Sequence, residues 1–231
     1  MFDRALGCAD ARRLCLFSCC LFAAVVAHAF HHEGGAAVTY GETFACAAGN
    51  RLACLVRESG GKVSTGFAGT PFVLPALTQT GHDDEAYQLL TSTECPSWLY
   101  QVTMGATTTW ERWDSMRPDR SLNPGGMTSF NHYALGSVAE WMHAHIGGLE
   151  TIEPGWKKFR VAPIVGGGLT EASTSHITPF GRAAVTWQMG ADGSTVDVTV
   201  TVPVGTTAVV DIPDHEVQNL TAGTHHLQFH I

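Results

Sequence analysis

Charge is what this chain has least of. Only 15% of its 231 residues are charged, against about 25% in ordinary globular chains. Thirteen basic residues face twenty-one acidic ones, for a net charge of -8, which removes the electrostatic basis for nucleic-acid binding. Residues 64–70 (STGFAGT) have the small residues of a phosphate loop but no Lys at P-loop spacing, so no phosphate cradle is expected. There is no G-x-S-x-G elbow, and a serine hydrolase is therefore unsupported. Of seven cysteines, Cys8, Cys15, Cys19 and Cys20 sit near the N-terminus, leaving Cys46, Cys54 and Cys95 without close pairing. Neither a zinc site nor a disulfide framework is indicated. His143-x-His145 sets two imidazoles on different sides of a helix, and His225-His226 is a surface strand pair. No metal and no cofactor are implied.

What is present is apolar and ring-rich. Hydrophobic residues make up 45% of the chain, enough for one large domain or two modest ones. Six tryptophans and twelve histidines in an acidic, Gly-rich chain lean towards a polar, ring-stacking ligand such as a sugar. At the N-terminus Arg4, Arg12 and Arg13 precede an apolar run, residues 14–26 (LCLFSCCLFAAVV), followed by Ala27-His28-Ala29. That is the grammar of a secretory signal peptide, although Asp3 and Asp10 dilute its basic region. The run is shorter than the roughly 20 residues a bilayer span needs, so no membrane span is expected in the mature chain. Residues 1–35 are expected to be a signal peptide or a non-native leader. The protein is secreted in the first case and cytoplasmic in the second.

Two architectures follow in sequence, with the boundary expected near residues 153–155: a helical domain over 36–154 and a β domain over 155–231. Residues 71–80 (PFVLPALTQT) predict a helix stopped by Gly81. Residues 83–91 (DDEAYQLLT) open with acids that suit the positive end of a helix dipole. Together they make a short helical hairpin. A longer helix is expected after Ser129 as N-cap, with Leu135, Val138, Trp141, Met142 and Ile146 on one face and Gly147-Gly148 as its stop. Such hairpins need partner helices. After Gly155 the apolar period becomes two, at residues 158–162, 183–187, 195–202, 207–212 and 227–231, with Asp192-Gly193 as a hairpin turn. About six short strands predict a small antiparallel β-sandwich.

The densest polar-aromatic cluster is residues 105–114 (GATTTWERWD). Glu111 stands between Trp110 and Trp113, beside Arg112. A carboxylate in a stacking-competent pocket can act as general base for water. The same residues also fit an exposed Glu–Arg pair on a loop, with the tryptophans anchoring it in a core. A second cluster, residues 123–133 (NPGGMTSFNHY), delivers Asn131 and His132 at a helix start. There they can bind ligand hydroxyls, or His132 can be a satisfied core histidine. Trp98 reads as packing.

Residues 60–74 (GGKVSTGFAGTPFVL), 95–100 (CPSWLY), 105–115 (GATTTWERWDS), 123–137 (NPGGMTSFNHYALGS), 155–163 (GWKKFRVAP) and 168–178 (GLTEASTSHIT), in this order, resemble the α-L-rhamnosidase family of glycoside hydrolases, in the six-hairpin glycosidase superfamily. The resemblance covers about residues 50–231. It implies part of an (α/α)6 barrel followed by a C-terminal antiparallel β-sandwich, and cleavage of terminal α-L-rhamnose from a glycoside or oligosaccharide with inversion. Inversion uses two carboxyl groups about 6.5–9.5 Å apart. By resemblance Glu111 is the general base, His132 hydrogen-bonds the sugar, and Trp110 and Asn131 help to shape the pocket. The family's general acid comes from the N-terminal half of the barrel, which nothing before residue 50 resembles; neither Glu42 nor Glu58 lies in its acid motif. The expectation is therefore the C-terminal portion of a larger enzyme, whose parent supplies the missing half-barrel. The alternatives are a non-catalytic carbohydrate-binding remnant, or a gene fragment with no independent role.

Overall fold

The computed structural model describes residues 37–231; the leader expected over 1–35 lies outside them. The chain divides into two compact units between Val138 and Ala139. Among the described residues, no helix is long and apolar enough to cross a membrane.

The helical unit contains α1 (Ala37–Glu58), α2 (Thr70–Gln79), α3 (Asp83–Thr91), α4 (Trp98–Thr103) and α5 (Tyr133–Gly136). On α1 the buried residues Ala48, Leu52, Ala53, Leu55 and Val56 recur at helical spacing and form one stripe. Val73, Leu74 and Leu77 of α2 and Ala86, Leu89 and Leu90 of α3 supply the rest of this core. A Cβ on Gly49 would lie 2.3 Å from the Thr80 hydroxyl oxygen, so only glycine lets α1 approach the end of α2 this closely. The helix α2 starts one residue before the expected Pro71, which lies in its first turn, and gives way to Gly81; as expected, α3 opens on Asp83, Asp84 and Glu85. Glu85 is buried and paired with Arg57, whose Nε donates to Oε1 at 2.7 Å. That bond ties the last turn of α1 to the first turn of α3.

The long helix expected after Ser129 is broken. Its cap is His132, whose Nδ1 accepts the Ala134 N–H at 3.3 Å, because the Ser129 hydroxyl is already engaged with the Asn131 backbone. Helix α5 ends at Gly136, where the Ser137 hydroxyl bonds back to the Ala134 carbonyl at 2.7 Å, a local bond that competes with helix propagation. Then come α6 (Val138–Trp141) and a π turn (Met142–Ile146). The unit boundary falls inside α6. The extra residue in a π turn shifts the helical phase, and Met142, expected on the buried face, is exposed.

The second unit carries β1 (Leu149–Thr151), β2 (Lys158–Val161), β3 (Glu171–Thr178), β4 (Gly181–Met189), β5 (Thr195–Val202), β6 (Thr207–Val210), β7 (Gln218–Leu220) and β8 (Gly223–His230). One sheet has the order β1-β2-β6-β7, the other β3-β4-β5-β8. There are eight strands, not about six, and the first lies ahead of Gly155. The pairing is antiparallel except for β2 and β6, which run parallel from Lys158↔Thr207 to Val161↔Val210. A parallel pair needs a crossover, and the excursion through β3, β4 and β5 provides it. Strand β3 was missed because its sequence, EASTSHIT, lacks apolar alternation; pairing with β4 along its whole length defines it. Asp192-Gly193 makes its turn with φ +66° at Gly193. The Asp192 carboxylate accepts bonds from Ser194 and Thr195, which hold its pKa down at about 2.

The core of this unit is Phe159, Val161, Ala208 and Val210 from one sheet, and Ala183, Val185, Trp187, Val196, Val198 and Val200 from the other. Alternation along each strand puts these side chains on one face. His145, on the π turn, has its pKa lowered to about 4, first by burial and then by the Arg160 guanidinium. An unfolded imidazole titrates near 6.5, so between about pH 6.5 and pH 4 the unfolded chain binds more protons than the folded one. Stability of this unit should therefore fall as pH drops through that window. In urea titrations the sheet transition is expected to move to lower denaturant from pH 6.5 to pH 4, and His145→Gln to flatten that slope. An unchanged slope in the variant would refute the assignment.

Candidate active site

The site belongs to the helical unit and is built on the irregular segment between α4 and α5. Residues 109–111 run beside residues 129–132. The His132 N–H donates to the Thr109 carbonyl and the Glu111 N–H to the Ser129 carbonyl, both at 2.9 Å. The Thr108 hydroxyl donates to the Phe130 carbonyl in the same ladder. Three residues oppose four, which gives the pairing the character of a bulge. This ladder brings the two sequence clusters together and sets Glu111 and His132 on adjoining backbone.

Glu111 is half-buried. Its Oε2 accepts the Ser129 N–H at 3.2 Å, so Ser129 clasps Glu111 through both its carbonyl and its amide. Among the described residues, Oε1 has no hydrogen-bond partner. An oriented carboxylate with one oxygen open can take a proton from water. Ser129 was read from sequence as a helix cap; its actual role depends on the ladder and had no local signal.

The two indoles beside Glu111 have separate fates. Trp110 is 2% exposed and packs edge-on against Phe130, centroids 5.1 Å apart. It anchors the segment from beneath. Trp113 is half-buried and meets Trp98 edge-on at 5.2 Å, while Trp98, buried, donates its indole N–H to the Leu135 carbonyl at 2.9 Å. Trp98 is packing, as read. Arg112 turns away from Glu111. Its Nε lies 2.6 Å from Asp114 Oδ1, and the Asn123 amide donates to the other Asp114 oxygen at 2.8 Å. The exposed Glu–Arg pair considered from sequence does not form; Arg112, Asp114 and Asn123 instead brace the two loops against each other.

His132 is neither fully buried nor isolated. Its ring stacks with Phe67, at 4.7 Å and 25°, and with Tyr133, at 5.1 Å and 18°. With Nδ1 accepting from Ala134, the neutral imidazole carries its proton on Nε2, a donor suited to a hydroxyl. Asn131 is exposed at the ladder's edge, with its backbone fixed by the Ser129 hydroxyl. Sequence placed Phe67 in a failed phosphate loop and in the family-like stretch 60–74 without giving it a role, and a contact spanning residues 67 and 132 has no local signature. Cys95 is no nucleophile: burial, with Asp114 adding, pushes its thiol up to about 11. No group of three or more His, Cys, Asp or Glu among the described residues can hold a metal ion.

This geometry has relatives. A model of the bacterial alpha-L-rhamnosidase 6 hairpin glycosidase domain matches residues 41–146, and one of the bacterial alpha-L-rhamnosidase C-terminal domain matches residues 148–226. The chain is 45% identical over 170 residues to an α-L-rhamnosidase of Streptomyces avermitilis, covering 73% of this chain and 16% of that protein. It is 39% identical over 165 residues to an α-L-rhamnosidase of Formosa agariphila, covering 71% and 18%. The chain thus spans less than a fifth of the length of these curated relatives. Among solved structures it is similar to native α-L-rhamnosidase from Aspergillus terreus, with a TM-score of 0.78, 45% identity, and 80% of this chain and 22% of that one covered. It is likewise similar to the Streptomyces avermitilis α-L-rhamnosidase complexed with L-rhamnose, with a TM-score of 0.75, 39% identity, and 80% and 20% covered. With two domains of one family matched in order, and the same fold in solved members, the chain belongs to the α-L-rhamnosidase family of glycoside hydrolases.

Proposed function

We propose that this chain carries the water-activating side of an inverting α-L-rhamnosidase site, with Glu111 as general base. The observation that carries it is the clasp on Glu111: one carboxylate oxygen is held by the Ser129 amide and the other has no hydrogen-bond partner among the described residues. Water bound at Oε1 attacks C1 of the rhamnosyl unit, its proton passes to the carboxylate, and the C1–O bond to the leaving group breaks on the opposite face of the sugar. His132 donates from Nε2 to a sugar hydroxyl, Asn131 lies at the same edge, and Trp110 sets the pocket floor. The leaving oxygen takes its proton from a carboxylic acid in the N-terminal half of the family's barrel, outside the stretch matched here. The substrate is a glycoside or oligosaccharide ending in α-L-rhamnose.

A substrate whose leaving group needs no protonation tests this directly. α-L-Rhamnosyl fluoride reacts by breaking C1–F and forming C1–O, releasing fluoride while Glu111 takes the proton of water. The full chain is expected to release fluoride above the buffer rate and to yield first the β-anomer of rhamnose, read by NMR, while an unactivated rhamnoside stays intact. Retention of the α-anomer would overturn the mechanism. Saturable rhamnose binding without fluoride release would establish the carbohydrate-binding alternative instead.

A further inference from the structure

We infer that Gln101 is the residue that positions Glu111; the inference rests on the assignment of Glu111 as base. In an extended segment successive N–H groups point to opposite sides. Thr109 and Glu111 use their carbonyl and amide towards residues 129–132, so the N–H of Trp110, between them, points the other way. Among the described residues no strand lies there. The acceptor is the side-chain Oε1 of Gln101, at 3.1 Å. Gln101 is 3% exposed, so its oxygen takes the place of a second strand for the one amide immediately before the base.

Gln101 is carried by helix α4. Helix α4 is capped by buried Ser97, whose hydroxyl accepts the Tyr100 N–H at 3.1 Å. Three of its residues reach three different pieces of the site by side chain-to-backbone bonds. Trp98 holds Leu135 at 2.9 Å, Tyr100 holds Met116 at 2.9 Å, and Gln101 holds Trp110. Only the last adjoins Glu111. Because Oε1 must face the Trp110 N–H, the orientation of the amide is settled, and its buried Nε2 has no partner among the described residues. One bond made and one donor stranded nearly cancel in stability. What the side chain contributes is therefore the placement of Trp110 and the carboxylate that follows. A misplacement of about 1 Å at a reacting group costs on the order of 100-fold in rate.

The test compares Gln101→Met, which keeps the volume and loses the acceptor, with Gln101→Glu, which keeps an oxygen for the Trp110 N–H. With rhamnosyl fluoride, Gln101→Met is expected to lower kcat by about 100-fold while KM changes less than about threefold, and Gln101→Glu to recover at least a tenth of wild-type kcat. By NMR hydrogen exchange, Gln101→Met is expected to speed exchange of the Trp110 and Glu111 amides more than tenfold, leaving the amides of α4 unchanged. Gln101→Glu should keep the protection. A Gln101→Met variant with wild-type kcat, or a Gln101→Glu variant as impaired as Met, overturns the inference, as does loss of protection throughout α4. Glu111→Gln in parallel separates the two claims: if it retains turnover, the base assignment fails; if it is inactive while Gln101→Met is not, only the positioning fails. Should the chain release no fluoride, or Gln101→Met fail to fold, exchange at Trp110 in Gln101→Glu decides.

Discussion

Replacing Glu111 by Gln is expected to reduce fluoride release from α-L-rhamnosyl fluoride by about 10²–10⁴-fold, the range for loss of a general base, with rhamnose binding within a few-fold of wild type. Gln is close to isosteric with Glu, and its amide oxygen can still accept the Ser129 N–H that Oε2 accepts now. The group then presented to the attacking water is an NH₂, a donor where an acceptor is required. Water can still bind but has nowhere to put its proton. The ladder between residues 109–111 and 129–132 is made of backbone bonds and survives the change, so the melting transition of the helical unit should not move. A variant that keeps its turnover removes Glu111 from the chemistry. One that loses rhamnose binding as well makes Glu111 a sugar contact and not a base.

The second large effect lies in the sheet unit. Trp187 of β4 is fully buried and donates its indole N–H to the Ile146 carbonyl at 2.7 Å. Trp187→Ala removes that bond and opens a cavity, together worth about 3–5 kcal/mol. That is a large fraction of the about 5–15 kcal/mol stability of a typical domain. The sheet transition in urea should shift strongly towards lower concentration. Trp187→Phe separates the two contributions. It keeps most of the ring and strands a buried carbonyl, for a loss of about 1–3 kcal/mol. If Phe and Ala destabilise equally, packing is not the larger part. If Ala leaves the transition in place, Trp187 is not central to this core.

Much of the architecture is written locally. Pro71 and Gly81 bracket α2, the acids of residues 83–85 open α3, and alternation in TVDVTVTV marks β5, because caps, dipoles and period-two burial act over a few residues. The family is also legible, since the stretches that carry the resemblance are long and keep their order. Glu111, His132, Asn131 and Trp110 stand out as types in context: a carboxylate among indoles, and an Asn-His pair after a Gly-Gly turn.

Their surroundings were not legible. Sequence sets Arg112 beside Glu111, but Asp114 takes its guanidinium, and Asn123 in turn holds Asp114. Trp110, expected to help shape the pocket, is buried against Phe130. The helix expected after Ser129 breaks because a hydroxyl pairs backward to Ala134, a competition of fractions of a kcal/mol that periodicity does not register. Strand β3 exists through its pairing with β4, not through its own alternation. The sequence alone thus determined the family, the order of helical hairpins and strands, and which side chains have the right chemistry. Only the tertiary structure decided which oxygen of Glu111 is held, that Phe67 stacks with His132, and that Gln101 accepts the Trp110 N–H. The Glu111–Ser129, Phe67–His132 and Gln101–Trp110 contacts join residues 18, 65 and 9 positions apart, and a bond between distant residues is set by chain closure and packing, of which no local window carries a trace.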